Sequence, residues 1–143
     1  GGLRHKKIEP EDVFHLLPQR TSSPVIKRDG FTEPTATIVW GFFKTATVDP
    51  RSVVLWNAFP WHPYHLNKGM LSNRTPTDDE LIDGHKILKQ LLDLGQFQTV
   101  VAVGRKSAQQ LAQLGIDAQE VRHPANGGAG KFRDQMSAIV GKI

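Results

Sequence analysis

The sequence predicts an α/β fold, a parallel sheet with helices on its faces. Three observations lead there. Two short apolar runs, SVVLWN (Ser52–Asn57) and TVVAVG (Thr99–Gly104), have the length and composition of buried strands, and AQEVRH (Ala118–His123) reads as a third strand. The stretches between and after them carry helix start and stop signals. The elements alternate strand, helix, strand, helix, strand, helix, which is the order that builds a parallel sheet.

Taken in order, residues 1–34 form an irregular N-terminal segment, with four prolines and many charges, in which only Glu11–Leu17 suits a short helix. TATIVWGFFKTA then places Ile38, Trp40, Phe42 and Phe43 in an apolar stretch introduced by Glu33-Pro34. It reads as a short buried helix, although its β-branched residues also suit a strand. After SVVLWN comes a long loop, Ala58–Pro76. Thr77-Asp-Asp-Glu80 is a capping box, in which hydroxyl and carboxylate satisfy each other's backbone amides. The helix behind it carries an apolar stripe from Leu81 to Leu94 and stops at Gly95. A shorter helix, Ser107–Leu114, ends at Gly115, and residues 131–142 can form the last one.

Composition narrows the function classes. At 143 residues the chain is read as a single domain able to bury one core. The absence of cysteine excludes disulfides, thiolate zinc sites, iron–sulfur clusters and cysteine nucleophiles. No apolar run approaches the roughly 18 residues of a membrane span, and no secretory signal is visible. The expectation is a soluble, cytoplasmic protein, monomeric and without membrane contact. A net charge of +4 permits a polyanionic partner without demanding one.

Chemistry in parallel sheets collects at the carboxyl ends of the strands. Two predicted strands end there in polar residues, Asn57 and His123, which places both on one sheet edge. Asn57 either ties down its own loop or aims a planar amide, one acceptor and two donors, at a ligand. Pro60 and Pro63 stiffen the exit from that strand, which favours a preorganised role. His123 either makes a structural hydrogen bond or serves chemistry. Behind it, Asn126-Gly127-Gly128-Ala129-Gly130 leads into a helix with Lys131 and Arg133 at its start. Such a loop is either simply flexible or lets a ligand approach the backbone closely at an anion-favouring helix end. In LSNRTPT (Leu71–Thr77), Thr75 and Thr77 either shape the helix start or, with Arg74, meet phosphate. His62 and His65 lack an acidic or cysteine partner for a metal. Gly104-Arg-Lys106 is a weak phosphate-turn signal without the full glycine pattern.

Together WNAFPWHP (Trp56–Pro63), NRTPT (Asn73–Thr77), VVAVGRKSAQQL (Val100–Leu111) and RHPANGGAGKFRDQ (Arg122–Gln135) resemble the uracil-DNA glycosylase superfamily. They stand in the family's order at compatible spacings and cover most of the chain from Trp40 onward. The resemblance implies a three-layer αβα sandwich around a short parallel sheet. It implies a DNA repair glycosylase that hydrolyses the N-glycosidic bond of uracil, or a related deaminated base, flipped out of DNA. It needs no cofactor or metal. Asn57 resembles the amide that reads the base, with Ala58 and Phe59 beside it. His123 resembles the donor to uracil O2. Arg74, Asn126, Gly127, Gly128, Lys131 and Arg133 resemble DNA-contacting positions. The loop lacks the bulky apolar wedge that some members insert there.

The chain departs from the family in two ways. It lacks the four cysteines that hold an iron–sulfur cluster in several relatives. It also shows no counterpart of the Gly-rich first motif and its water-positioning residue. Glu9, Glu11 and Asp12 do not match that motif, so the residue is expected upstream of Gly1. Two other readings compete: a non-catalytic nucleic-acid or nucleobase-binding module of the same fold, and a nucleotide-binding domain with phosphate at Gly104–Lys106.

Overall fold

The computed structural model describes Leu3, Arg4 and residues 23–141. The predicted helix at Glu11–Leu17 and the acidic residues Glu9, Glu11 and Asp12 lie outside the described residues. The order of elements is β1 (Leu3–Arg4), β2 (Phe31–Thr32), α1 (Pro34–Thr45), α2 (Asp78–Leu94), β3 (Val101–Val103), α3 (Arg105–Gln113), β4 (Gln119–Val121) and α4 (Ala129–Val140). The fold is α/β, as the alternation predicts, and both strand pairs, β1 with β2 and β3 with β4, are parallel. The chain divides into two units, residues 1–54 with 122–143, and residues 55–121.

In the first unit, α1 settles the ambiguity of TATIVWGFFKTA in favour of helix. Glu33 caps it by accepting from the Ala36 amide at 2.7 Å, and Pro34 occupies the first turn, where its missing N–H costs nothing. Local capping thus outweighs the β-branched composition. The helix buries Phe42 and Phe43. Phe42 meets Phe132 of α4 edge to face, with ring centroids 6.0 Å apart. Phe132, Met136 and Ile139 form the buried face of α4, at spacings of four and three.

In the second unit, β3 and β4 pair in register from Val101 opposite Gln119 to Val103 opposite Val121. Leu88 of α2, Ala102 of β3 and Leu111 of α3 make the buried centre, and Leu92, Val100, Ala108, Leu114, Ile116 and Ala118 pack around it. The Thr77–Glu80 capping box is present in full. Gly95 ends α2 in extended geometry, with φ −114°, and not in the left-handed form that usually recommends glycine there.

One expectation is corrected. Ser52–Asn57 is not a buried strand: Ser52 closes a 3₁₀ turn, and residues 53–57 belong to no strand. Val54, Leu55 and Trp56 are 56%, 48% and 43% exposed. A strand exists only when a neighbour supplies its hydrogen bonds. Among the described residues this run has no ladder partner, so Asn57 does not end a sheet strand and the shared sheet edge falls with it.

Candidate functional site

Asn57 sits at the start of a segment seated on α2. Gly84, buried in the middle of that helix, makes the seat: a Cβ there would lie 2.9 Å from the Ala58 carbonyl oxygen and 3.3 Å from Pro60 Cδ. Glycine in a helix interior costs about 1 kcal/mol relative to alanine. Here the missing side chain lets the Ala58–Pro60 backbone lie directly against the helix. Phe59 and Trp61 add a tilted ring pair at 5.3 Å. Asn57 itself is exposed, and among the described residues no hydrogen bond engages its amide. The loop-tying alternative requires such a bond.

The loop that follows is braced from within. His62 Nε2 lies 3.0 Å from the Met70 carbonyl and 2.9 Å from that of Ser72. Both partners are acceptors, so Nε2 carries the proton. Ser72 donates its hydroxyl to the Gly69 carbonyl at 2.7 Å and accepts from the His65 amide at 2.9 Å. His62 also stacks on Tyr64, at 6.3 Å and 11°.

Arg74 closes the loop. Its backbone amide donates to Pro63 O at 3.1 Å, and its Nε donates to Tyr64 O at 3.1 Å. Its Nη1 and Nη2 reach the two oxygens of Glu80 at 2.7 and 2.6 Å, a bidentate pair. Glu80 Oε2 also accepts from the Thr77 amide at 2.8 Å. Hydrogen bonding by Arg74, and then by the Thr77 backbone, lowers the Glu80 pKa to about 2. The guanidinium expected against phosphate therefore has an internal partner. Glu80 and Gly84 stand four residues apart on one face of α2, so both loop ends dock there one turn from each other.

His123 lies two residues beyond β4, in the first unit, and is half-buried. Its Nδ1 accepts from the Ala125 amide at 3.1 Å. An accepting Nδ1 leaves the ring proton of the neutral imidazole on Nε2, as a donor. Two further contacts hold the segment. The Arg122 amide donates to Gln135 Oε1 of α4 at 2.7 Å, and Pro124 is buried.

The chain then turns tightly. Asn126 and Gly127 have φ of 51° and 76°, and the Gly128 amide donates to Ala125 O at 3.1 Å. Two successive positive φ values inside an i to i+3 bond suit the Asn-Gly pair. Gly128 is buried beneath His123: a Cβ there would collide with the His123 carbonyl oxygen and stand 3.1 Å from Ala125 O. The Gly128 carbonyl accepts from the Phe132 amide at 2.9 Å, joining the turn to α4. Lys131 and Arg133 are exposed on the first turns of α4, while nothing crowds Gly130.

Four contributors escaped the sequence reading. Gly84 had a visible signal, a glycine inside an otherwise well-patterned helix. Gln135 closes the quoted RHPANGGAGKFRDQ motif without a spacing rule that links it to Arg122. The two others are His62 as a loop brace and Glu80 as the partner of Arg74.

The family model described as the uracil DNA glycosylase superfamily matches residues 18–140. The chain belongs to that superfamily, and the match reaches further toward the N-terminus than the four motifs do. No curated protein and no solved structure matches the chain. Membership supports a glycosylase-type function in general, and members of the family act on DNA. Among the described residues no helix is long and apolar enough to cross a membrane.

Proposed function

We propose that the chain releases uracil, or a related deaminated base, from DNA by hydrolysis of the N-glycosidic bond, after the nucleotide has left the duplex stack. The observation that carries this reading is the hydrogen bond from the Ala125 amide to His123 Nδ1. It engages Nδ1 as an acceptor, which leaves Nε2–H as the donor. As the bond from C1′ to the base nitrogen breaks, its electron pair passes into the base, and negative charge grows on O2. A donor already oriented toward that oxygen stabilises the transition state more than the ground state.

Asn57 supplies the recognition. Uracil offers an N3–H donor and an O4 acceptor, and one amide matches both. Cytosine presents the opposite pattern and leaves misplaced polar groups, each costing about 1–3 kcal/mol in a dry site. Asn126, Gly127, Gly128, Lys131 and Arg133 are assigned to the DNA backbone. The turn brings main-chain amides close to it, and the two cations supply charge. Arg74, expected among the DNA contacts, orders the loop from His62 to Thr77.

The test is release of free uracil from uracil-containing oligonucleotides, single- and double-stranded, by the protein and by His123→Ala. Release that falls about 10²–10³-fold in the variant supports the reading. Salt-dependent DNA binding with no release from either substrate would establish a non-catalytic binding module instead.

A further inference from the structure

Two polar side chains stand where the helices of the second unit otherwise turn apolar ones inward. In α2 the inward stripe runs Leu81, His85, Leu88, Leu92, at spacings of four, three and four, so the half-buried histidine holds a core position. In α3 the stripe runs Gln110, Leu111, Leu114, and Gln110 is only 3% exposed. Among the described residues, His85 Nε2 and Gln110 Oε1 are buried polar atoms bonded to no protein group. Buried polar atoms ordinarily have a partner, because losing water without a replacement is costly. Two such atoms in one unit, one on each of two neighbouring helices, point to a partner held in common.

Helix geometry brings the two groups to one interface. Asp78, His85 and Leu92 follow one another at seven-residue intervals, nearly two full turns each, so they lie along one line of α2. Both ends of that line meet α3 or the core it shares. Asp78 pairs with Lys106 of α3 at 3.1 Å, and Leu92 packs against the cluster that contains Leu111 of α3. His85, midway between them, therefore faces α3. On α3, Gln110 stands one turn beyond Lys106 and next to Leu111, between the same two contacts, and so faces α2.

We propose that His85 Nε2 and Gln110 Oε1 bind one ordered water between α2 and α3. Water is the ligand whose chemistry fits both atoms. It donates one proton to the amide oxygen, and it either accepts from Nε2–H or donates its second proton to a bare Nε2, so either tautomer is served. An anion would meet the lone pairs of Oε1. A metal ion would lack ligands, since no group of three acidic, histidine or cysteine side chains is gathered among the described residues. The bridge fixes the helix on which the candidate site rests: Gly84, the residue before His85, seats Ala58–Pro60, and Glu80 holds Arg74. The proposal does not depend on the glycosylase reading.

The experiment has two arms, both on the full chain. The first compares His85→Leu, Gln110→Leu and the double variant with the parent by urea unfolding. Each single change removes one anchor and leaves the opposite group buried without a partner, so the ratio of unfolded to folded chain should rise about tenfold. The double variant leaves neither group behind and should lie closer to the parent than either single variant. Losses that add in the double variant, or single variants that unfold like the parent, would overturn the bridge. The second arm is a crystal structure of the parent. One water within hydrogen-bond distance of both atoms supports the proposal. A direct bond between His85 and Gln110, or side chains turned to separate partners, would overturn it. The crystal arm needs no variant, so it decides the matter where a leucine variant fails to fold.

Discussion

Gly84 and Ala58 are in backbone contact: a methyl group on Gly84 would sit 2.9 Å from the Ala58 carbonyl oxygen. In an exposed helix, Gly→Ala stabilises by up to about 1 kcal/mol. Here the sign reverses. Gly84→Ala forces either α2 or the Ala58–Pro60 segment to move, and overpacking of this kind costs about 1–3 kcal/mol. Thermal unfolding of the variant is expected at a lower temperature than for the parent, and an unchanged or higher temperature would show that the seat is slack.

The Arg74–Glu80 pair sets a pH dependence with a definite sign. Glu80 titrates near 2 in the folded chain, against an ordinary value of 4.5. A depressed carboxylate stabilises the fold above its unfolded pKa, and that contribution is lost as pH falls through the folded one. The melting-temperature gap between the parent and Glu80→Gln is therefore full at pH 6 and shrinks between pH 4.5 and about 2. A gap that stays constant across that window contradicts the ion pair.

For His123 the prediction concerns the proton before it concerns rate. The Ala125 amide occupies Nδ1, so nitrogen-15 spectra of the neutral ring should show Nδ1 bare and Nε2 protonated. A ring protonated mainly on Nδ1 would remove the donor on which the proposed reaction depends.

The discrimination proposed for Asn57 is tested by changing one group. Asn57→Asp replaces the amide's donor group by an acceptor, so release of uracil should fall while selectivity against cytosine relaxes by about tenfold or more. Equal ratios of uracil to cytosine release in parent and variant would place the specificity elsewhere.

Gln135 offers a positioning test. Its side-chain oxygen accepts from the Arg122 amide, one residue before His123. Gln135→Leu leaves that amide without its partner and should lower turnover by about tenfold, with binding little changed. Gln135→Glu keeps an acceptor and should restore most of it. Equal turnover in the leucine and glutamate variants would remove the role.

What the sequence made legible was local. The Thr77–Glu80 box and the Glu33-Pro34 start of α1 each arise from a few neighbouring residues, and each forms as its chemistry requires. Ser52–Asn57 forms no strand because apolar composition records a preference for burial, whereas a strand needs a hydrogen-bonding partner that composition does not name. The internal partner of Arg74 was hidden for a related reason. The capping-box pattern shows Glu80 reaching back to Thr77, but not that Arg74 takes the same carboxylate from the other side. Gly84 was visible as an oddity, and only the contact with Ala58 explains it.

The double closure of the loop by His62 and Arg74 has a consequence for how such a protein can change. Residues 65–72 hang from a bracket whose two ends are tied to each other and to α2, while the Ala58–Pro60 segment that follows Asn57 is seated separately at Gly84. Insertions or deletions inside the bracket are expected to leave the seat of Asn57 in place. The loop and the seated segment can then diverge at different rates, like interchangeable heads on one handle.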